Sequence, residues 1–288
     1  MTPQPLYRTT ELTPAFALRY SWCGWITAGD LRSLSPEGWA ALGLAWQKDG
    51  LHLLERAIDV DKILLTFSTK PVVSPVFLAA RAKGRLEHAL RAANNKGVTF
   101  SRKVMVRSVG DNVTHDVQAY IASQVQNEEF VDPRFAEFLK QFTIVDRSVD
   151  LSIPDESRSG RYWYNLHLVL VTDGRTRIVD EPSLRMIRDG SIRIAAKKGY
   201  RIASMSVMPD HMHLAMRGVF EQSPEEIALA LMNNLAHFLK LGAVWRPGYY
   251  VGAFGEYNMR AIREAARAES YSPARRAGRG LTEGGEDV

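Results

Sequence analysis

Asp61-Lys-Ile-Leu-Leu-Thr-Phe-Ser-Thr-Lys-Pro-Val-Val-Ser74-Pro75 and Asp210-His-Met-His-Leu-Ala-Met-Arg-Gly-Val-Phe-Glu-Gln-Ser223-Pro224 follow one plan without a gap. Each opens on an aspartate and a short apolar strand, turns, and reaches Ser-Pro. A serine side chain accepts from the free N–H groups of a first helical turn. Proline at the next position lacks an N–H that would have no partner there. Ser-Pro therefore predicts a helix start. Apolar periodicity then predicts helices over 75–90 and 224–241.

The match continues downstream. Val104-Met-Val-Arg-Ser-Val-Gly110 lies beside Tyr250-Val-Gly-Ala-Phe-Gly255; both read as a strand ending at a glycine, followed by helices at 114–126 and 258–268. Upstream, aromatic-rich strands are expected at 17–27 and 162–172, and helices at 36–56 and 181–198. Each half thus runs strand, helix, strand, helix, strand, helix. The expected fold class is α+β or α/β, with a small sheet and helices on its faces, present twice. The polar stretch 146–161, with Pro154 and Gly160, marks the boundary. The expected units are 1–148, 149–271 and a Gly-, Arg- and Glu-rich disordered tail at 272–288.

Composition narrows the class. Of 288 residues, 45% are apolar and 24% charged, which fits a packed globular chain rather than a disordered one. The apolar run 166–171 is too short to span a bilayer, and residues 1–10 lack the charged-then-apolar pattern of a signal peptide. Cys23 is the only cysteine and can form no internal disulfide; a cytoplasmic location without membrane contact is expected. The net charge of +5 suits a polyanionic partner but is a modest excess.

Within the second repeat, Val207-Met-Pro-Asp-His211-Met-His213-Leu carries the clearest chemistry. Alternate residues of a strand share a face, so His211 and His213 converge while Met212 and Leu214 face the core. Two imidazoles on one face supply two ligands of a divalent metal site. Asp210, just before them, either caps a turn or orients a ligand histidine. His167, on the first strand of this half, either faces the same site or, the preferred reading, is a core or surface residue.

Met-Pro-Asp-His-Met-His-Leu followed by a Ser-Pro helix resembles the signature of the single-tyrosine HUH transposases, which include insertion-sequence and REP-associated tyrosine transposases. The resemblance runs from about Tyr164 to Ala266 and includes His-Leu-Val-Leu-Val-Thr at 167–172, Lys-Lys-Gly-Tyr at 197–200 and Gly-Tyr-Tyr-Val-Gly-Ala-Phe-Gly-Glu at 248–256. It implies ferredoxin-like HUH domains, each a small antiparallel sheet with helices on its faces. It also implies a DNA nickase and strand-transferase. A tyrosine attacks a phosphodiester of single-stranded or hairpin DNA and forms a 5′-phosphotyrosine, and two histidines plus one polar ligand hold Mg2+ or Mn2+.

In that family the nucleophile lies ten residues after the glycine that ends the last strand. Counted from Gly255 the position is Ala265, which cannot attack. Counted from Gly110 it is Tyr120, and Gln124 four residues on matches the family's polar ligand. The first repeat carries Lys62 and Leu64 where the second has His211 and His213, and neither residue type ligates a metal there. The resemblance implies a dimer fused into one chain, with one composite site of Tyr120, Gln124, His211 and His213. The second site, with Lys62, Leu64 and Ala265, would be dead.

Arg81, Lys83, Arg85, Arg102, Lys103 and Arg107 are either phosphate contacts or a solvated face, and Trp245, Tyr249 and Tyr250 either platforms for bases or part of the sheet core. Three functions remain open on sequence: a transposase, a domesticated or replication-type nickase, and a catalytically silent hairpin-DNA-binding protein. Further self-association or a partner protein is compatible with each.

Overall fold

A computed structural model describes residues 4–270 except 30, 32–33, 60 and 94–96; the tail expected at 272–288 lies outside the described residues. The chain is α+β and builds two mixed six-stranded sheets. The first half contributes β1 (Ala15–Ala17), β2 (Arg19–Ala28), α1 (Pro36–Lys48), β3 (Leu51–Ile58), β4 (Lys62–Thr69), α2 (Pro75–Ala92), β5 (Thr99–Ser108), α3 (Thr114–Ala122), α4 (Gln124–Asn127), α5 (Pro133–Lys140) and β6 (Thr143–Val145). The second contributes β7 (Asp155–Glu156), β8 (Gly160–Trp163), β9 (Asn165–Val171), α6 (Glu181–Lys198), β10 (Arg201–Val207), β11 (His211–Arg217), α7 (Pro224–Leu239), β12 (Tyr250–Ala253) and α8 (Met259–Ser270).

The Ser-Pro starts behave as their chemistry requires. Ser74 accepts from the Phe77 amide, and Ser223 closes a reciprocal capping box with Glu226. The helix expected over 36–56 stops at Lys48 instead. Gly50 takes φ +79, a left-handed turn that ends the helix, and 51–58 form β3 paired with β4. Gly199, also at φ +79, does the same between α6 and β10. Each half therefore has a β-hairpin where the sequence reading had one strand.

The first sheet runs β3-β4-β2-β5-β8-β7 and the second β10-β11-β9-β12-β1 with β6 on its outer edge. The five-strand series β3-β4-β2-β5-β8 and β10-β11-β9-β12-β1 match position by position. Both are antiparallel except for their last pair, β5 with β8 and β12 with β1, which are parallel. Those last strands are exchanged. β1 joins the second sheet, and after Leu18 the chain enters the first as β2; β8 joins the first, and after Tyr164 the chain enters the second as β9. The core lies between each sheet and its helices, with Trp22, Leu65, Phe67 and Val106 buried in the first and Leu168, Met212 and Leu214 in the second.

A reciprocal crossing links the halves. Gly110 bridges Asn258 and Val113 bridges Gly255; the Thr114 amide donates to Gly255 O at 2.9 Å and the Met259 amide to Gly110 O at 3.1 Å. A Cβ on Gly110 would sit 2.7 Å from Ala253 O, and one on Gly255 would sit 2.4 Å from Ser108 O. Only glycine permits these backbones to pass so closely. The crossing carries α3 over β10 and β11 of the second sheet, and α8 over β3 of the first.

Candidate metal and nucleophile site

His211 and His213 lie on β11 and, by alternation, on the face of the second sheet away from α6 and α7; Met212 and Leu214 between and beyond them are fully buried. Their rings stand 5.0 Å apart. The His211 Nδ1–H donates to Asp210 Oδ1 at 2.7 Å, which leaves Nε2 free to ligate. Burial acts first on the Asp210 carboxyl and would raise its pKa. Hydrogen bonds from His211 and from Arg175, whose Nη1 donates to Oδ2 at 2.9 Å, outweigh it and hold the carboxyl below its ordinary range. Asp210 thus fixes the orientation of the His211 ring, and its backbone carbonyl also closes the strand start on the Thr172 amide.

His167 faces this site and is neither a surface histidine nor a plain core one. Its Nε2 lies 3.0 Å from His213 Nδ1. Burial drives the His167 pKa down to about 4; burial, with the neighbouring rings of His167 and His211, drives His213 down to about 3. Both rings are neutral at pH 7, so one nitrogen of the pair donates and the other accepts. When His213 Nδ1–H is the donor, its Nε2 carries the free lone pair. The sequence signal for this role was the position of His167, two residues from the register partner of His213 on the adjacent strand.

Tyr120 reaches the same place from the other half of the chain. Its ring lies 5.5 Å from that of His213 and 6.1 Å from that of His167, and the residue is 48% exposed. α3 ends at Ala122, so Gln124 begins the next short helix rather than continuing the same one. Gln124 is buried, and its Nε2 donates to the Tyr120 carbonyl at 3.0 Å, not to a histidine. Its carboxamide oxygen is the atom left for an ion. Among the described residues no group of three histidines, cysteines or carboxylates could hold a metal. What the face itself offers a divalent ion is two imidazole nitrogens, an incomplete set that needs further oxygen donors.

The counterpart positions on the first sheet differ. Lys62 pairs with Asp59 at 3.4 Å, and Leu64 presents only carbon. The Ala265 and Glu269 side chains and Tyr271 lie outside the described residues. Tyr257 is 52% exposed beneath the Arg107 guanidinium, 5.2 Å away.

The basic candidates separate into two sets. Arg85 donates twice to Asp49, at 2.9 and 3.0 Å, Arg81 stacks on Phe77, and Lys83 donates to Ser101 O at 2.8 Å. Arg107 donates to Glu256 at 2.8 Å and stacks on Trp163. Arg102 and Lys103 are exposed. Trp245 and Tyr249 are core residues at 2% and 0% exposure and have no face to offer a base; Tyr250 is half-buried beside His167.

Residues 161–264 match the family model described as "Transposase IS200 like". The ISDra2 transposase TnpA of Deinococcus radiodurans is 30% identical over 123 residues, 38% of this chain and 87% of that protein. The chain belongs to the IS200-like transposase family. Two solved structures overlap 36% of it: a transposase from Deinococcus radiodurans R1 (21% identity, 89% of that chain, TM-score 0.30) and a REP-associated tyrosine transposase bound to a REP hairpin (16% identity, 62% of that chain, TM-score 0.30). No helix among the described residues is long and apolar enough to cross a membrane.

Proposed function

We propose that this protein nicks and rejoins single-stranded or hairpin DNA at one composite site, with Tyr120 as nucleophile and His211, His213 and Gln124 as ligands of Mg2+ or Mn2+. The observation that carries this reading is the 5.5 Å approach of the Tyr120 ring to His213, made across the two halves of one chain. The Tyr120 oxygen attacks a backbone phosphorus, the P–O bond to the 3′ oxygen breaks, and the 5′ phosphate becomes esterified to the tyrosine. The phenolic proton passes to solvent, which reaches this half-exposed residue. A divalent ion held by His211, His213 and Gln124 would supply Lewis-acid polarisation of the scissile phosphate and stabilisation of its developing charge. The ester conserves the energy of the broken bond, so a 3′ hydroxyl can reverse the step on the same or another strand without ATP. Asp210 and His167 position the two histidines and keep their Nε2 atoms available.

The matched five-strand series, the exchanged β1 and β8 and the reciprocal glycine crossing support reading the chain as a fused dimer of units near 1–148 and 149–271. Lys62 and Leu64 on the first sheet leave one site of the two, so cutting both ends of an element requires sequential action, a second copy, or restriction to nicking. The test is incubation with a 3′-labelled single strand and Mn2+, followed by denaturing electrophoresis. Label must move to the protein's position, and peptide mapping must place it on Tyr120.

A further inference from the structure

The first sheet has a face that this reaction leaves unused. Register places Leu64, Cys23, Met105 and Arg161 opposite one another across β4, β2, β5 and β8, with Lys62 and Trp25 paired in the next row on that side. This is the counterpart of the histidine face of the second sheet, because Lys62 and Leu64 occupy the positions of His211 and His213. Over β2, β5 and β8 the face opens into a cleft of about 490 Å³ whose walls carry Trp25, Lys103, Arg158 and Arg161 with one carboxylate, Glu156. Lys103, Arg158 and Arg161 are exposed, and Trp25 is half-buried and lines the cleft. Glu156 ion-pairs Arg161 at 2.9 Å with both side chains about 60% exposed, and a screened pair of this kind yields readily to a phosphate.

Three cations and an indole in one concave site match the chemistry of a nucleic-acid single strand. Cations neutralise successive phosphates, and an unpaired base stacks on the ring. A duplex keeps its bases stacked inside and cannot offer one to Trp25. The geometry points to this cleft as a non-catalytic binding site for single-stranded DNA, with a base on Trp25 and flanking phosphates on Lys103, Arg158 and Arg161. The inference rests on the reading above that the protein acts on single strands. The half that lost its metal ligands keeps a face for the strand and leaves the chemistry to the other.

The test uses the full chain in EDTA, so that no cleavage occurs, with a dye-labelled thymidine 20-mer followed by fluorescence anisotropy. Lys103→Ala/Arg158→Ala/Arg161→Ala removes only exposed side chains and is expected to weaken binding about tenfold or more at 0.1 M salt. The slope of log Kd against log salt should fall by about 2, near 0.7 for each lost phosphate contact. Trp25→Ala should weaken binding by about tenfold, the size of one lost base stack. A duplex of the same length should bind less tightly than the single strand. Wild-type affinity and slope in the triple variant, or equal affinity for duplex, overturns the cleft proposal even where the wild type still forms a covalent adduct. Loss of binding in the triple variant with no adduct from the wild type keeps the cleft and rejects the nuclease reading instead.

Discussion

Gly110→Ala tests the crossing that brings the two halves together. The new Cβ would lie 2.7 Å from Ala253 O, 2.8 Å from Asn112 O and 3.0 Å from Phe254 Cα, all backbone atoms that no rotamer change can move. The strands must part by several tenths of an ångström. Overpacking of this kind costs about 1–3 kcal/mol. The loss is partly offset by the lower backbone entropy of alanine in the unfolded chain, about 0.5–1 kcal/mol. The net expectation is about 1–2 kcal/mol of destabilisation, near 2–4 °C in Tm per kcal/mol for a chain of this size. The displaced segment leads directly into α3, so Tyr120 should shift from His213 and the rate of adduct formation should fall by about tenfold or more. Gly84→Ala is the control: it lies exposed within α2, and a Cβ there meets nothing within 4 Å, so stability should stay level or rise. Urea denaturation reads stability, and electrophoresis of the protein–DNA adduct reads the rate. If Gly110→Ala matches wild type in both, the close crossing does not position the nucleophile.

Four further outcomes follow from the same geometry. Arg217 is 1% exposed and donates to Asn165 Oδ1 at 2.6 Å, Leu151 O at 2.6 Å and Ile153 O at 2.7 Å, so Arg217→Ala should cost about 3–5 kcal/mol by urea melts; a loss below 1 kcal/mol would mean water replaces it freely. His167→Ala should weaken Mn2+ binding about 10–100-fold by calorimetry, and an unchanged affinity would remove its role in holding His213. The metal-free protein should lose stability as pH falls below 6.5. The folded pKa values of His167 and His213, about 4 and about 3, lie below the unfolded value, so the unfolded chain takes up protons first. The slope approaches about 1.4 kcal/mol per pH unit for each ring down to pH near 4, and a urea midpoint that is flat between pH 7 and 5 contradicts neutral burial. Residues 1–148 expressed alone should fail to give a cooperative thermal transition, because β8 would be missing from their sheet and β1 would have no partner; a sharp transition would show that the exchange is dispensable.

The repeat was legible because strand and helix starts leave local marks. Asp210 and Ser223-Pro224 bracket β11 and its turn, and the strand's two-residue alternation put both histidines on one face. β3 was merged with the helix before it, since Leu51–Ile58 is apolar enough to read as a continuing helix and only the left-handed turn at Gly50 divides them, and β10 was left unassigned between the helix end at Lys198 and Asp210. The exchange of β1 and β8 leaves no local periodicity at all. Ala15–Ala17 pairs with Tyr250–Gly252, a partner 235 residues distant that no window along the sequence could connect to it. For the same reason the choice between base platform and sheet core stayed open for Trp245 and Tyr249, because Tyr7 reaches across to Trp245 from the far end of the chain. Tyr120 was found by spacing from Gly110, but its distance to His213 depends on the crossing that the glycines permit.

The central claim is that one half supplies the attacking oxygen and the other the metal ligands. Adduct formation with a 3′-labelled single strand in Mn2+, compared between Tyr120→Phe and Tyr257→Phe, tests it directly. Tyr120→Phe should abolish the adduct while its fold and strand affinity stay unchanged, and Tyr257→Phe should form it at the wild-type rate. An adduct that survives Tyr120→Phe, or that disappears in Tyr257→Phe, contradicts the composite site.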